Sequence, residues 1–143
     1  MPSTSERFDL LDLHDAPILA IERTRDGISL RLGHANLRAE HPANPEPTAV
    51  CVQPCVLLLR DVAGERARLF DDAAQAWVAH ADAAAPLSGE IVEARQVSAD
   101  AVTSYRFAGM HTAGWSEWEV TAGGFTLTWE RVSGEAWFVG WPR

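Results

Sequence analysis

The sequence predicts a mainly β protein, an antiparallel β-sandwich or barrel of eight or nine strands with at most one short helix. Three observations carry this. Short apolar-alternating runs recur along the chain, broken by turn residues such as Asp26-Gly27. The last third holds five of the six tryptophans in three such runs, separated by Gly123-Gly124 and Ser133-Gly134. One stretch, Asp71–Ala85, has a composition that suits a helix.

Taken in order, Met1–Asp12 reads as a partly ordered lead-in. Pro17–Thr24 and Ile28–Gly33 pair as a hairpin, since Asp-Gly supports the positive φ of a two-residue turn. Its register opposes Ile21 with Leu32 and Glu22 with Arg31. Asn36–Glu40 is a short continuation, and His41–Pro47 is a loop because three prolines forbid regular pairing. Val50–Val62 is a central strand, with Val56-Leu57-Leu58-Leu59 apolar on both faces. Pro54 therefore stands at a bulge or where a partner strand has ended.

Ala67–Phe70 is another short strand. Asp71–Ala85 reads either as the one helix, capped by Asp71 or Asp72, stopped by Pro86 and packed through Trp77, Ala73, Ala74, Ala81 and Ala84, or as an irregular excursion. Glu90–Val97 and Val102–Ala108 return to strand. A meander of Trp115–Ala122, Phe125–Val132 and Glu135–Trp141 closes the chain.

Hairpins at the two glycine turns fix a register. Trp118 opposes Trp129, Val120 opposes Leu127, and Phe138 follows across from Trp129, so these side chains and Phe125 form the core face. The other face carries Glu117, Glu119 and Glu130 beside Trp137, Val139 and Trp141. Glu117 across from Glu130 is a like-charge pair that needs a cation between them, for which Arg106 or an arginine of a partner is suited. The segment around Phe8, Leu10 and Leu11 is a candidate cover for those tryptophans.

At 143 residues the chain makes a single domain, 1–143, with one core. A net charge of −8 argues against a nucleic-acid backbone as partner. All twelve basic residues are arginine, so lysine chemistry is excluded. No apolar run spans a bilayer and the N-terminus is polar, so a cytoplasmic protein with no membrane partner is expected. Cys51 and Cys55 read as buried thiols, being too far apart on an unbroken strand for a disulfide.

No catalytic or metal-binding residue is assigned and no cofactor is called for. His111, in the glycine-flanked loop 109–114, is where a general base could sit, beside Trp115. It has no visible nucleophile, and Ser116 and Glu117 point to opposite faces of a strand. His14-Asp15 precedes the first hairpin, where a turn role competes with a metal or proton-transfer role.

Three functions follow from these residues. The first is a non-enzymatic binding module that recognises a protein partner, or self-associates, through an acidic, tryptophan-bearing face of Glu117, Glu119, Glu130, Trp137 and Trp141, with His111 and Trp115 beside it. An immunity-like role against a basic toxin fits it. The second is a barrel or sandwich holding a small apolar or cyclic ligand, with Trp115, Trp118, Trp129 and His111 at the mouth. The third is a small metal-dependent hydrolase around His14, Asp15 and His111.

Leu13-His14-Asp15-Ala16-Pro17-Ile18, then Ile21, Asp26-Gly27, Leu30 and Leu32, resembles the opening of small bacterial domains of unknown function that begin with an LHDA- or HDS-like step and a hairpin. Some of those are suspected toxin-immunity or partner-binding proteins. The likeness covers about 20 of the 143 residues, implies an all-β fold, and carries over no functional residue.

Overall fold

Segments that are apolar at every second residue have one face to hide, and here two sheets hide theirs against each other. A computed structural model describes residues 1–141. Its strands are β1 (Ser3–Thr4), β2 (Leu11–Asp12), β3 (Ile18–Thr24), β4 (Gly27–Leu32), β5 (Ala35–Leu37), β6 (Val50–Arg60), β7 (Gly64–Asp71), β8 (Ala76–Ala79), β9 (Ile91–Ala99), β10 (Val102–His111), β11 (Gly114–Thr121) and β12 (Gly124–Glu135). The first sheet runs β1-β12-β6-β4-β3, with β5 also on β6 and β2 on β5; the second runs β8-β7-β11-β10-β9. All pairings are antiparallel and neither sheet closes on itself among the described residues, so the fold is a β-sandwich.

The interior is filled from both sheets. Leu30, Leu32, Leu57, Leu59, Phe125, Leu127 and Trp129 face Tyr105, Phe107, Trp118 and Val120, all buried. Phe8, in the 3-10 turn Phe8–Leu10, lies edge-on to Tyr105 and to Phe125 at 5.1 Å each, bridging the two sheets. The N-terminus is thus part of the fold rather than a lead-in: β1 pairs with β12, and Phe8, Leu11, Leu13 and Ala16 are core. Pro54 falls where the neighbour of β6 changes, after Leu32↔Cys55 and before Ala35↔Val52, so its missing N–H costs no ladder bond on that side.

Five sequence expectations are corrected. Gly123-Gly124 is not a hairpin. Gly123 N–H donates to the carbonyl of Arg60 at 2.7 Å, and the chain crosses from β11 in the second sheet to β12 in the first. A Cβ on Gly124 would lie 2.7 Å from an Arg60 guanidinium nitrogen, the movable end of a long side chain. Trp118 and Trp129 therefore enter the core from opposite sheets instead of sitting side by side in one. Ser133-Gly134 is not a turn either: Gly134, with φ 150°, serves a bulge between Val132↔Val52 and Gly134↔Cys51, and β12 continues to Glu135. No strand spans 135–141; Phe138 and Val139 lie in turns.

Residues 71–85 form no helix. The Asp71 carboxylate accepts from the N–H groups of Ala73 and Ala74 in a turn, and β8 folds back on β7. The proposed packing alanines are exposed, whereas Trp77 meets Phe70 edge-on at 5.4 Å, so a cross-strand aromatic pair prevails over alanine's helix propensity. Finally, the first hairpin is shifted by two residues, with Ile21 opposite Leu30 and Glu22 opposite Ser29. Gly27 enters the ladder opposite Thr24, where an added Cβ would run into the backbone of Leu59.

Candidate functional site

The outer face of the second sheet is ordered by its register into parallel rows. One row runs Arg95, Arg106, Glu119, Arg66 across β9, β10, β11 and β7. The next runs Glu93, Ala108, Glu117, Arg68. Beyond it, Met110 stands across from Trp115 on β10 and β11, and Phe70 across from Trp77 on β7 and β8. Alternation puts all of these on the solvent side, because Tyr105, Phe107, Trp118 and Val120 take the inward positions.

Ion pairing follows the rows. Arg106 Nε donates to Glu119 at 2.6 Å, and Arg66 reaches the same carboxylate at 3.0 Å. Arg68 donates to Glu117 at 2.8 Å while its guanidinium lies 4.1 Å from the Trp77 ring centroid, a cation–π contact. An open groove of about 440 Å³ lies over these strands, lined by arginines 66, 68, 95 and 106 and glutamates 93, 117 and 119. Ala108 is its one short outward side chain among eight positions in the two charged rows.

The residues expected to share one acidic face are divided by this fold. Glu117, Glu119 and Trp115 lie on the outer face of the second sheet. Glu130 belongs to β12, beside buried Trp129, and faces out from the first sheet on the far side of the sandwich. The like-charge pair Glu117–Glu130 does not form, and the glutamates that remain together are neutralised by arginine, so the face is not acidic. Trp137 and Trp141, 47% and 65% exposed, sit in the turns after β12 and contact each other edge-on at 5.6 Å. They border a second cavity of about 500 Å³ with Asp12, Arg38, Glu40 and Phe138.

His111 ends β10, and both ring nitrogens are engaged. Nδ1 accepts from the Ala113 N–H at 3.1 Å, which leaves Nε2–H to donate to Asp82 at 3.1 Å. His80 repeats the pattern, accepting from Asp82 N–H and donating to the Pro86 carbonyl, and its ring lies 4.6 Å from that of His111. These histidines staple the connection from β8 to β9. His14 donates to the Val92 carbonyl at 2.7 Å and lies beside Asp15 and Trp137, sharing no partner with His111. Ser116 is fully buried and inward while Glu117 faces out, as their alternation requires. No group of three or more His, Cys, Asp or Glu is placed to hold a metal among the described residues. The space between the sheets, where the alternative reading put a small ligand, is occupied by Trp118, Trp129 and their neighbours.

Sequence reasoning missed Arg66, Arg68, Arg95, Ala108 and Trp77. The spacing Arg66-Ala67-Arg68 and Glu93-Ala94-Arg95 is a strand-period signal for charges on one face. Arg106, nominated as a counter-ion, does bind a glutamate, but Glu119. Comparison with protein-family models, curated proteins and solved structures found no match to this chain.

Proposed function

We propose that this chain is a non-catalytic binding module that recognises a partner protein through the outer face of its second sheet. The observation that carries the reading is the groove over β7, β9, β10 and β11, where four arginines lie beside exposed Trp77 and half-buried Trp115. Tryptophan and arginine supply much of the binding energy at protein interfaces, and a strand-borne face presents them with little ordering cost. Self-association is the special case in which the partner is a second copy.

The test is site-specific photo-crosslinking in the cell that makes the protein. A benzophenone amino acid replaces Met110, 52% exposed on this face, or Leu19, 59% exposed on β3 of the first sheet. A discrete adduct from position 110, lost when Trp77→Ala and Trp115→Ala are added, is the expected result. Identical adducts from both positions would overturn the reading. An adduct of twice the monomer mass would identify the partner as this chain.

A further inference from the structure

We infer that the partner segment is acidic: a glutamate or aspartate side chain of the partner places its carboxylate between Arg95 and Arg106, with its apolar neighbours over Ala108 and Trp115. This rests on the outer face of the second sheet being the partner surface.

Three features of that face point the same way. Arg95 and Arg106 are direct cross-strand partners, an unfavourable pairing of like charges unless an anion lies between them. Glu119 already serves both Arg106 and Arg66, and Glu117 serves Arg68, whereas the Arg95 side chain has no ion pair or hydrogen bond among the described residues. The groove thus holds four arginines against three glutamates, an excess of positive charge on a chain of net −8. A carboxylate reaching both guanidiniums would gain charge-assisted hydrogen bonds that the chain itself does not provide.

The shape agrees with an amino-acid side chain. Ala108 leaves a gap in a layer of long charged side chains, with Phe107 and Trp118 beneath it in the lining. Interspersed glutamates 93, 117 and 119 disfavour a polyanion, whose successive phosphates would meet carboxylates as often as arginines. An isolated carboxylate on an otherwise apolar segment meets no such repulsion. The charge preference is therefore opposite to that of an acidic face seeking a basic partner.

Two capped hexapeptides serve as probes, one alternating leucine with glutamate and one alternating leucine with lysine, titrated against the full chain while the arginine Nε–H resonances are followed by NMR. The glutamate peptide is expected to shift Arg95 and Arg106 saturably, and the lysine peptide to leave them unmoved. Arg95→Gln, which breaks no ion pair or side-chain hydrogen bond among the described residues, should weaken the glutamate peptide about tenfold, and Ala108→Leu, which fills the gap, by a similar factor. Binding of the lysine peptide alone would overturn the acidic-partner inference while leaving the face as a partner surface. Failure of both peptides to shift any outer-face resonance overturns the inference, and identical crosslinks from positions 110 and 19 would remove the underlying reading as well. Saturable, steeply salt-dependent binding of a decamer of thymidylate at Arg95 would replace the protein partner with a nucleic acid.

Discussion

Arg23 and Glu65 join the two sheets through a two-point ion pair, with Nε and an Nη of the guanidinium donating to the carboxylate at 2.8 and 2.7 Å. Arg23 lies on β3, across from buried Ile28, and Glu65 on β7, across from buried Val120, so both occupy inward-facing positions at the sandwich margin. The same carboxylate accepts from Trp118 Nε1–H at 3.2 Å, and the guanidinium also donates to the carbonyls of Ala83 and Ala84. One cluster thus satisfies a buried indole, an inward carboxylate and the loop after β8. Removing the arginine leaves a partly buried charge without its counter-ion. Arg23→Ala should lower stability by about 2 kcal/mol in urea denaturation. Glu65→Gln keeps an acceptor for the indole and should cost less; a larger loss than for Arg23→Ala would contradict this ordering.

The same pair sets an acid limb. The hydrogen bonds from Arg23, followed by its charge, hold the Glu65 carboxyl below its ordinary value of 4.5 despite partial burial. A carboxylate with a lowered folded pKa contributes stability above its unfolded pKa and loses it as pH falls through the folded one. Wild-type stability should therefore decline as pH drops below about 4.5, and Glu65→Gln should decline less steeply over that range. Parallel pH profiles of urea midpoints for the two proteins would refute the assignment.

Cys55 should be chemically silent in the native state. Burial in the core, and secondarily the nearby Cys51, push its thiol up to about 12, so almost no thiolate exists at pH 8. Alkylation with iodoacetamide, mapped by mass spectrometry, should modify Cys51 first and Cys55 only after denaturant is added. Equal native labelling would show that β6 opens far more readily than its central place implies.

Gly27 should tolerate no side chain. It has φ 141°, and a Cβ there would come within 1.9 Å of the Leu59 carbonyl oxygen. Gly27→Ala therefore adds strain and a backbone clash where β4 pairs with β6, costing at least about 3 kcal/mol. A thermal midpoint near that of the wild type would show that the first hairpin can shift to the register the sequence suggests.

Face assignments were largely legible in the sequence, but sheet assignments were not. Alternation places Trp118, Val120, Phe125, Leu127, Trp129 and Phe138 inside; the first five are buried, whereas Phe138, in a turn after β12, is only partly so. Period two states which side of a strand is apolar without stating whether the next strand lies beside it or across from it. A hairpin at Gly123-Gly124 and a crossing between sheets there give the same inside list, yet they send Glu117 and Glu130 to opposite surfaces. That is why the core could be read and the expected acidic face could not. Residues 71–85 failed for a different reason: alanine favours a helix locally, but it has too little side chain to anchor one, and the Phe70–Trp77 pair decides the outcome. The charged groove depends on cross-strand neighbours distant in sequence, such as Glu119 with Arg66 and Arg106, which no local pattern specifies.

The chain leaves the first sheet after Arg60 and re-enters it at Gly124, and the two passages touch: Gly123 N–H is shared by the carbonyls of Arg60 and Asp61, and Ala63 N–H donates to Thr121. Everything between, including the whole second sheet, is one uninterrupted stretch of polypeptide that enters and leaves at that corner, and it is also held to its neighbour by backbone bonds between residues 15–18 and 89–91 and by Arg23–Glu65. A recombination event with both breakpoints at that corner would exchange the entire recognition surface in one piece, while the β6–β12 ladder that supports it kept its own partners.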